Sequence, residues 1–210
     1  MIKLSNRLNA AASMVRKGSK ICDVGTDHGY IPVYLVEHGI IKSAVACDIN
    51  IGPLNSCISL VNERGLQDKI KCVLSNGLDN VLPDDVDDIL IAGMGGELIA
   101  DILSRCDYVK HKHLILNPMT HAETVRKWLY SNGFIINNDM IVADGFHHYN
   151  VMDAVYTGEI TKKTKTDYYI GNIKDFSDKE YFEHLLNYLN NKQKGGDDFA
   201  DVIKEIEERI

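Results

Sequence analysis

Between residues 20 and 116 the chain alternates short apolar runs with longer segments of helical periodicity, and that alternation leaves few ways to fold. The runs Lys20 to Val24, Ala44 to Cys47, Ile70 to Leu74, Asp88 to Ala92 and His113 to Leu116 are mostly apolar on both faces, as expected of strands covered by helices on either side. Tyr30 to His38, Pro53 to Arg64, Glu97 to Cys106 and Ala122 to Asn132 read as the helices between and after them. This order specifies a parallel sheet with right-handed crossovers, since a parallel neighbour is reached only by a long connection across one face. Phe134 to Ala143 and His148 to Tyr156 then flank an Asp144-Gly145 turn signal and read as a hairpin. A helix comes before the first strand: Leu4, Leu8, Ala11, Ala12 and Val15 recur at helical spacing, and Gly18 stops it.

The turn leaving the first strand is Asp23-Val24-Gly25-Thr26-Asp27-His28-Gly29, and the second strand ends on Asp48. An acidic-then-glycine turn followed by a carboxylate at the next strand tip is how a doubly wound sheet holds an adenosine-containing cofactor. Glycine lets the backbone approach the ligand, the next helix offers its free N–H groups, and Asp48 would accept from ribose hydroxyls. Positions 25, 27 and 30 read Gly, Asp, Tyr, so the dinucleotide fingerprint Gly-x-Gly-x-x-Gly is not met. The acidic-x-Gly-x-Gly-x-Gly loop of S-adenosylmethionine (SAM) methyltransferases fits better, with Asp27 in place of the middle glycine. A closing antiparallel hairpin agrees, because dinucleotide dehydrogenases usually continue in parallel. The expected fold is therefore α/β, a Rossmann-like seven-stranded SAM methyltransferase sheet over residues 1–160.

From about Thr161 the composition becomes polar and helical. Tyr181, Phe182, Leu185, Leu186 and Leu189 form one apolar stripe, Gly195-Gly196 breaks it, and Phe199, Val202, Ile203, Ile206 and Ile210 form a second. Residues 161–210 are expected to be a small C-terminal helical, coiled-coil-like hairpin. The five cysteines lack a Cys-x-x-Cys pair and read as reduced buried thiols, and the histidines lack ligand spacing, so no metal is expected. No apolar stretch is long enough to span a bilayer and no signal-peptide core is seen, which points to a cytoplasmic protein without a membrane partner. The oligomeric state is left open, a monomer included.

A net charge of −7 weighs against a nucleic-acid partner. The distribution softens that objection: Arg7, Lys17, Lys110, Lys112 and the Lys162-Lys163 pair fall in locally basic stretches and are candidate phosphate contacts.

Site candidates cluster at the strand ends. The expected cofactor set is Asp23, Gly25, Thr26 and His28 in the first turn, Asp48 and Ile49 after the second strand, Asn76 and Gly77 after the third, and Gly93, Met94 and Gly95 in the glycine-rich turn after the fourth. Asp27 either faces the substrate or caps the following helix. Asn117, ending the fifth strand before Pro118, is a candidate contact for an exocyclic amine.

Together these motifs resemble the TrmK family, the bacterial tRNA (adenine-22) methyltransferases that modify ring nitrogen 1. The resemblance is carried by Leu4-Ser5-Asn6-Arg7-Leu8, Asp23 to Pro32, Asp48-Ile49-Asn50-Ile51-Gly52-Pro53, Ile91-Ala92-Gly93-Met94-Gly95-Gly96, Leu114 to Pro118 and Arg126-Lys127-Trp128-Leu129, and it covers roughly residues 4 to 156. Asn76 stands where family members often have Asp, and the C-terminal hairpin looks shorter than usual. The resemblance implies SAM as methyl donor, tRNA as partner, and catalytic roles for Asp27, Asn117 and Tyr30. A SAM methyltransferase acting on a small molecule or protein, or a non-catalytic SAM- or RNA-binding module, stands as the alternative.

Overall fold

The computed structural model describes residues 2–160 and 162–210; the domain boundary expected at Thr161 falls on a residue outside that set. In chain order the elements are α1 (Asn6–Ser13), β1 (Lys20–Val24), α2 (Tyr30–Glu37), β2 (Ser43–Asp48), α3 (Ile51–Glu63), β3 (Ile70–Leu74), β4 (Asp88–Met94), α4 (Gly96–Ser104), β5 (His113–Pro118), α5 (Ala122–Ser131), β6 (Phe134–Asp144) and β7 (His147–Tyr156), then α6 (Lys165–Tyr169), α7 (Lys179–Lys194) and α8 (Ala200–Glu207). The strands form one seven-stranded sheet in the order β3-β2-β1-β4-β5-β7-β6, with β7 antiparallel to both of its neighbours. This is the expected methyltransferase sheet, and the order reverses between β1 and β4, where open α/β folds bind ligands.

Successive side chains on the central strands face opposite sides and feed two cores. Cys22, Val24, Ile89, Ile91, Leu114 and Leu116 pack with Ile99 and Leu103 of α4 and Val125 and Leu129 of α5. Ile21, Leu90 and Ile115 pack on the other face with Ala11 of α1, Leu35 of α2 and Val61 of α3. Apolar character on both strand faces is thus the direct record of helices above and below.

The hairpin turn falls on Gly145-Phe146, one residue beyond the expected Asp144-Gly145, because Asp144 still pairs with His147. Gly145 takes a φ of +65° there, which glycine adopts without steric cost. At the C-terminal end α7 and α8 pack around Phe182, Leu189, Phe199, Val202 and Ile206, but Ile210 lies beyond α8 and is exposed. The short α6, unanticipated from the pattern, is set by a capping box in which Thr164 and Asp167 satisfy each other's backbone N–H groups.

These C-terminal helices are fastened to the sheet by a fully buried ion pair. Arg126 of α5 donates from Nε and a terminal nitrogen to the two oxygens of Asp139 of β6, at 2.8 and 2.9 Å. Its other terminal nitrogen donates to the carbonyls of Tyr168 and Tyr169 at 3.0 and 3.1 Å. Asp139 also accepts the Asn172 N–H at 3.1 Å. Between these contacts runs Gly171 (φ +67°), where any Cβ would collide with both charged side chains. Arg126 is therefore an internal fastening rather than a surface charge.

Candidate active site

A cleft of about 330 Å³ opens at the carboxyl ends of β1, β2 and β4, walled by Asp23, Gly25, Thr26, Asp27, His28 and Tyr30 from the first turn, Asp48 and Asn50 from the second, Gly93 from the fourth and Arg7 from α1. That volume lies in the range of roughly 300–1,000 Å³ usual for small-molecule sites. The first turn is pinned to β2, since Gly25 and Thr26 donate their N–H groups to the Cys47 carbonyl at 2.8 and 3.0 Å. Gly25 (φ +73°) is required twice over: the conformation is left-handed, and a Cβ would collide with the terminal methyl of Met94.

Asp27 holds φ +51°, a conformation that a short polar side chain tolerates better than most. The residue at the start of α2 is Gly29, and no side chain caps that helix, so Asp27 is not its cap. Its carboxylate is two-thirds exposed and lies 3.6 Å from His28 Nε2. His28 stacks on Tyr30 with ring centroids 5.2 Å apart.

Two carboxylates line the inner wall. Asp23 is buried and accepts the Thr26 hydroxyl at 2.6 Å. Burial pushes its pKa up to about 6, the nearby Asp48 charge adds to that, and the Thr26 hydrogen bond partly offsets it. Asp48 uses one oxygen to accept the Asn50 N–H at 2.8 Å. A wall with carboxylate acceptors and glycines at 25 and 93 suits a ligand carrying hydroxyls and positive charge, and SAM carries both.

Not every expected residue joins this wall. Asp23, Gly25, Thr26, His28, Asp48 and Gly93 do, with Asp27 and Tyr30; Ile49, Asn76, Gly77, Met94, Gly95 and Asn117 do not. Ile49 is 60% exposed. Asn76 is exposed with Arg105 at 3.5 Å, and Gly77 is needed because a Cβ would press on Ile102. Gly93 (φ +93°) sits where the β4–β5 register shifts, and this bulge turns Met94 back to pack over Gly25. Gly95 lies against Thr120, and Gly96 lets α4 begin against the β5–α5 backbone.

Asn117 corrects the sequence reading most directly. It is fully buried; its carbonyl accepts from Arg7 at 3.0 Å, and its amide donates to the Asn150 carbonyl at 2.8 Å. Both ends of the amide are thus engaged within the protein, and the group that reaches the cleft is Arg7. Arg7 also lies 3.7 Å from Asp144 and 5.6 Å over the Tyr149 ring, which makes it an internal brace rather than a surface phosphate ligand.

The remaining basic candidates scatter. Lys17 precedes β1 and Lys110 and Lys112 precede β5, so they sit toward the amino ends of these strands, away from the cleft. Lys112 donates to the Pro83 and Val86 carbonyls at 2.6 and 2.7 Å. Lys163 lies over Tyr130. What sequence reasoning missed is a groove of about 700 Å³ between the β6–β7 hairpin, the start of α5 and α7, lined in part by Met119, His121, Phe146, His147, Tyr149, His184 and Tyr188. Each of these was visible as an aromatic, histidine or methionine, but only packing gathers them. Among the described residues no group of three or more His, Cys, Asp or Glu side chains is arranged to hold a metal, and no helix is long and apolar enough to cross a membrane.

Comparison with known proteins places the chain. Residues 4–152 match the family model described as a methyltransferase domain. The tRNA (adenine(22)-N(1))-methyltransferase of Bacillus subtilis is 34% identical over 75% of this chain and 70% of that protein. The structure of Streptococcus pneumoniae Sp1610 in complex with S-adenosyl-L-methionine superposes with a TM-score of 0.85 at 34% identity, covering 98% of this chain and 99% of that one. The B. subtilis M1A22 tRNA methyltransferase TrmK superposes with a TM-score of 0.79 at 27% identity, covering 100% and 96%.

Proposed function

We propose that this chain, which belongs to the TrmK family of SAM-dependent methyltransferases, transfers the methyl group of SAM to ring nitrogen 1 of adenine 22 in tRNA. The observation that carries the reading is the cleft itself: buried Asp23 and Asp48 on its inner wall, with the exposed carboxylate of Asp27 and the His28–Tyr30 stack also lining it.

Bound SAM supplies an electrophilic methyl group. Adenine N1 presents an in-plane lone pair, so the protein has no nucleophile to generate, and its task is to position the base and stabilise the positive charge that develops on it. Asp27 is suited to accept a hydrogen bond from the exocyclic amine as that charge grows, and the exposed face of Tyr30 can support the base. Asp48 accepts from the ribose of the cofactor, and Asp23 faces its positive charge. Arg7 acts one step back: by bonding Asn117 and Asp144 it fixes α1 against β5 and the hairpin and so sets the cleft wall. A tRNA substrate supports the expected cytoplasmic location.

The test is methyl transfer from labelled SAM to an unmodified tRNA transcript, mapped by mass spectrometry of nuclease digests. Label on N1 of adenine 22, lost when that base is replaced by guanine, supports the reading. Transfer to protein or small molecules with none to tRNA would overturn it.

A further inference from the structure

Phe146 is 96% exposed, whereas Phe134, Phe182 and Phe199 are buried. It occupies the tip of the β6–β7 hairpin, and that tip is held firmly. The Asn6 backbone N–H donates to Asp144 at 3.3 Å, the Asn6 side chain donates to the Ala143 carbonyl at 2.9 Å, and Arg7 pairs with Asp144. β7 pairs with β5 only from Met152 to Ala154. β5 itself runs on to Pro118, with Asn117 bonded to the Asn150 carbonyl, so from Asn150 back to Phe146 the hairpin overhangs the carboxyl edge of β5 by roughly 14 Å, at about 3.4 Å per residue.

The overhang borders the groove of about 700 Å³, which Phe146 lines together with Met119, His121, Tyr149 and Tyr188. Groove and cofactor cleft meet at Arg7, which walls the cleft and lies over the Tyr149 ring. The groove is lined mainly by aromatic, imidazole and apolar side chains, with His121 beside Glu97 and Glu123 and His148 beside Asp178, so its walls suit the aromatic bases of a nucleic-acid chain.

We propose that Phe146 is a wedge that enters the RNA stack in place of the target adenine when that base is drawn into the cleft. The inference rests on the adenine-methylation reading above. A base inside a helical stack cannot reach the methyl donor, and extrusion leaves a gap that costs stacking on both sides. An aromatic ring on a braced support fills such a gap and holds the extruded state open. A phenylalanine that made no such contact would leave its whole apolar surface in water at the rim of an active site.

The experiment uses tRNA with 2-aminopurine in place of adenine 22, whose fluorescence rises on unstacking, alongside methylation of the ordinary transcript. Wild-type protein should raise the fluorescence. Phe146→Ala should bind SAM as before, give little rise, and lower single-turnover methylation by about 10-fold or more, the scale of losing one base–aromatic stack. Phe146→Trp should restore both signals. Wild-type methylation with an unimpaired Phe146→Ala overturns the wedge alone. A variant that alters only self-association in sedimentation also overturns it, by making the tip a contact between copies. Wild-type protein that fails to methylate the transcript overturns the adenine reading and the wedge with it.

Discussion

Replacing Arg126 by Met should cost this protein more than any single surface change, because the substitution strands a buried anion. Asp139 is fully buried and would lose both guanidinium hydrogen bonds, and the Tyr168 and Tyr169 carbonyls would lose their donor. Breaking a buried pair from one side costs about 3–5 kcal/mol, more than its Coulomb attraction suggests, since the remaining charge stays desolvated. In a chain of this length each kcal/mol lowers Tm by roughly 2–4 °C. The expected loss is therefore roughly 6–20 °C, together with faster proteolysis near Lys162-Lys163 as α6 to α8 loosen from the sheet. Urea unfolding of Arg126→Met, Asp139→Leu and the double variant closes a cycle. The double variant should be markedly more stable than the sum of the single losses predicts, because neither charge is left buried alone. If Arg126→Met lies within about 1 kcal/mol of wild type, or the two losses simply add, the pair does not fasten the helices and the argument fails.

Asp48→Ala should weaken SAM binding about 10-fold or more, the weight of a charged acceptor; titration calorimetry showing unchanged affinity in the folded variant would remove Asp48 from the cofactor site. Asp27→Gly preserves the left-handed turn while deleting the carboxylate, so SAM affinity should hold and methyl transfer fall by roughly 100-fold; turnover near wild type would leave Asp27 with no part in the chemistry. His113 lies 2.8 Å from Asp153 and 3.5 Å from Asp88. Burial alone would lower its pKa, but the hydrogen bond to Asp153 and the charges of Asp153 and Asp88 outweigh burial and hold it at about 9. Raised above its unfolded value near 6.5, the imidazolium stabilises fully below that pH, and the contribution, up to about 3 kcal/mol, is lost as pH rises through 9. Urea melts at pH 6.5 and 9.5 should show this loss in wild type and little of it in His113→Gln; parallel slopes would refute the assignment.

Period and punctuation were enough to read the sheet, because each strand needed only its own apolar residues and each helix only its own spacing. The position of Asp23, Gly25 and Asp48 at the cleft wall was readable for the same reason: a turn after a buried strand can lead only to the sheet edge, and a glycine there reports a local backbone need. What lay beyond local pattern was decided by packing between distant segments. Asn117 is committed by Arg7, 110 positions away in the chain, and by Asn150. Arg126 is buried because Asp139 and the Tyr168 and Tyr169 carbonyls converge on it, and Lys112 is spent on carbonyls of the loop before β4. A charged or amide side chain carries the same sequence signature whether it faces solvent, ligand or a buried partner. Its desolvation cost is set by whichever groups the fold brings within hydrogen-bond reach, and only the tertiary structure brings them there.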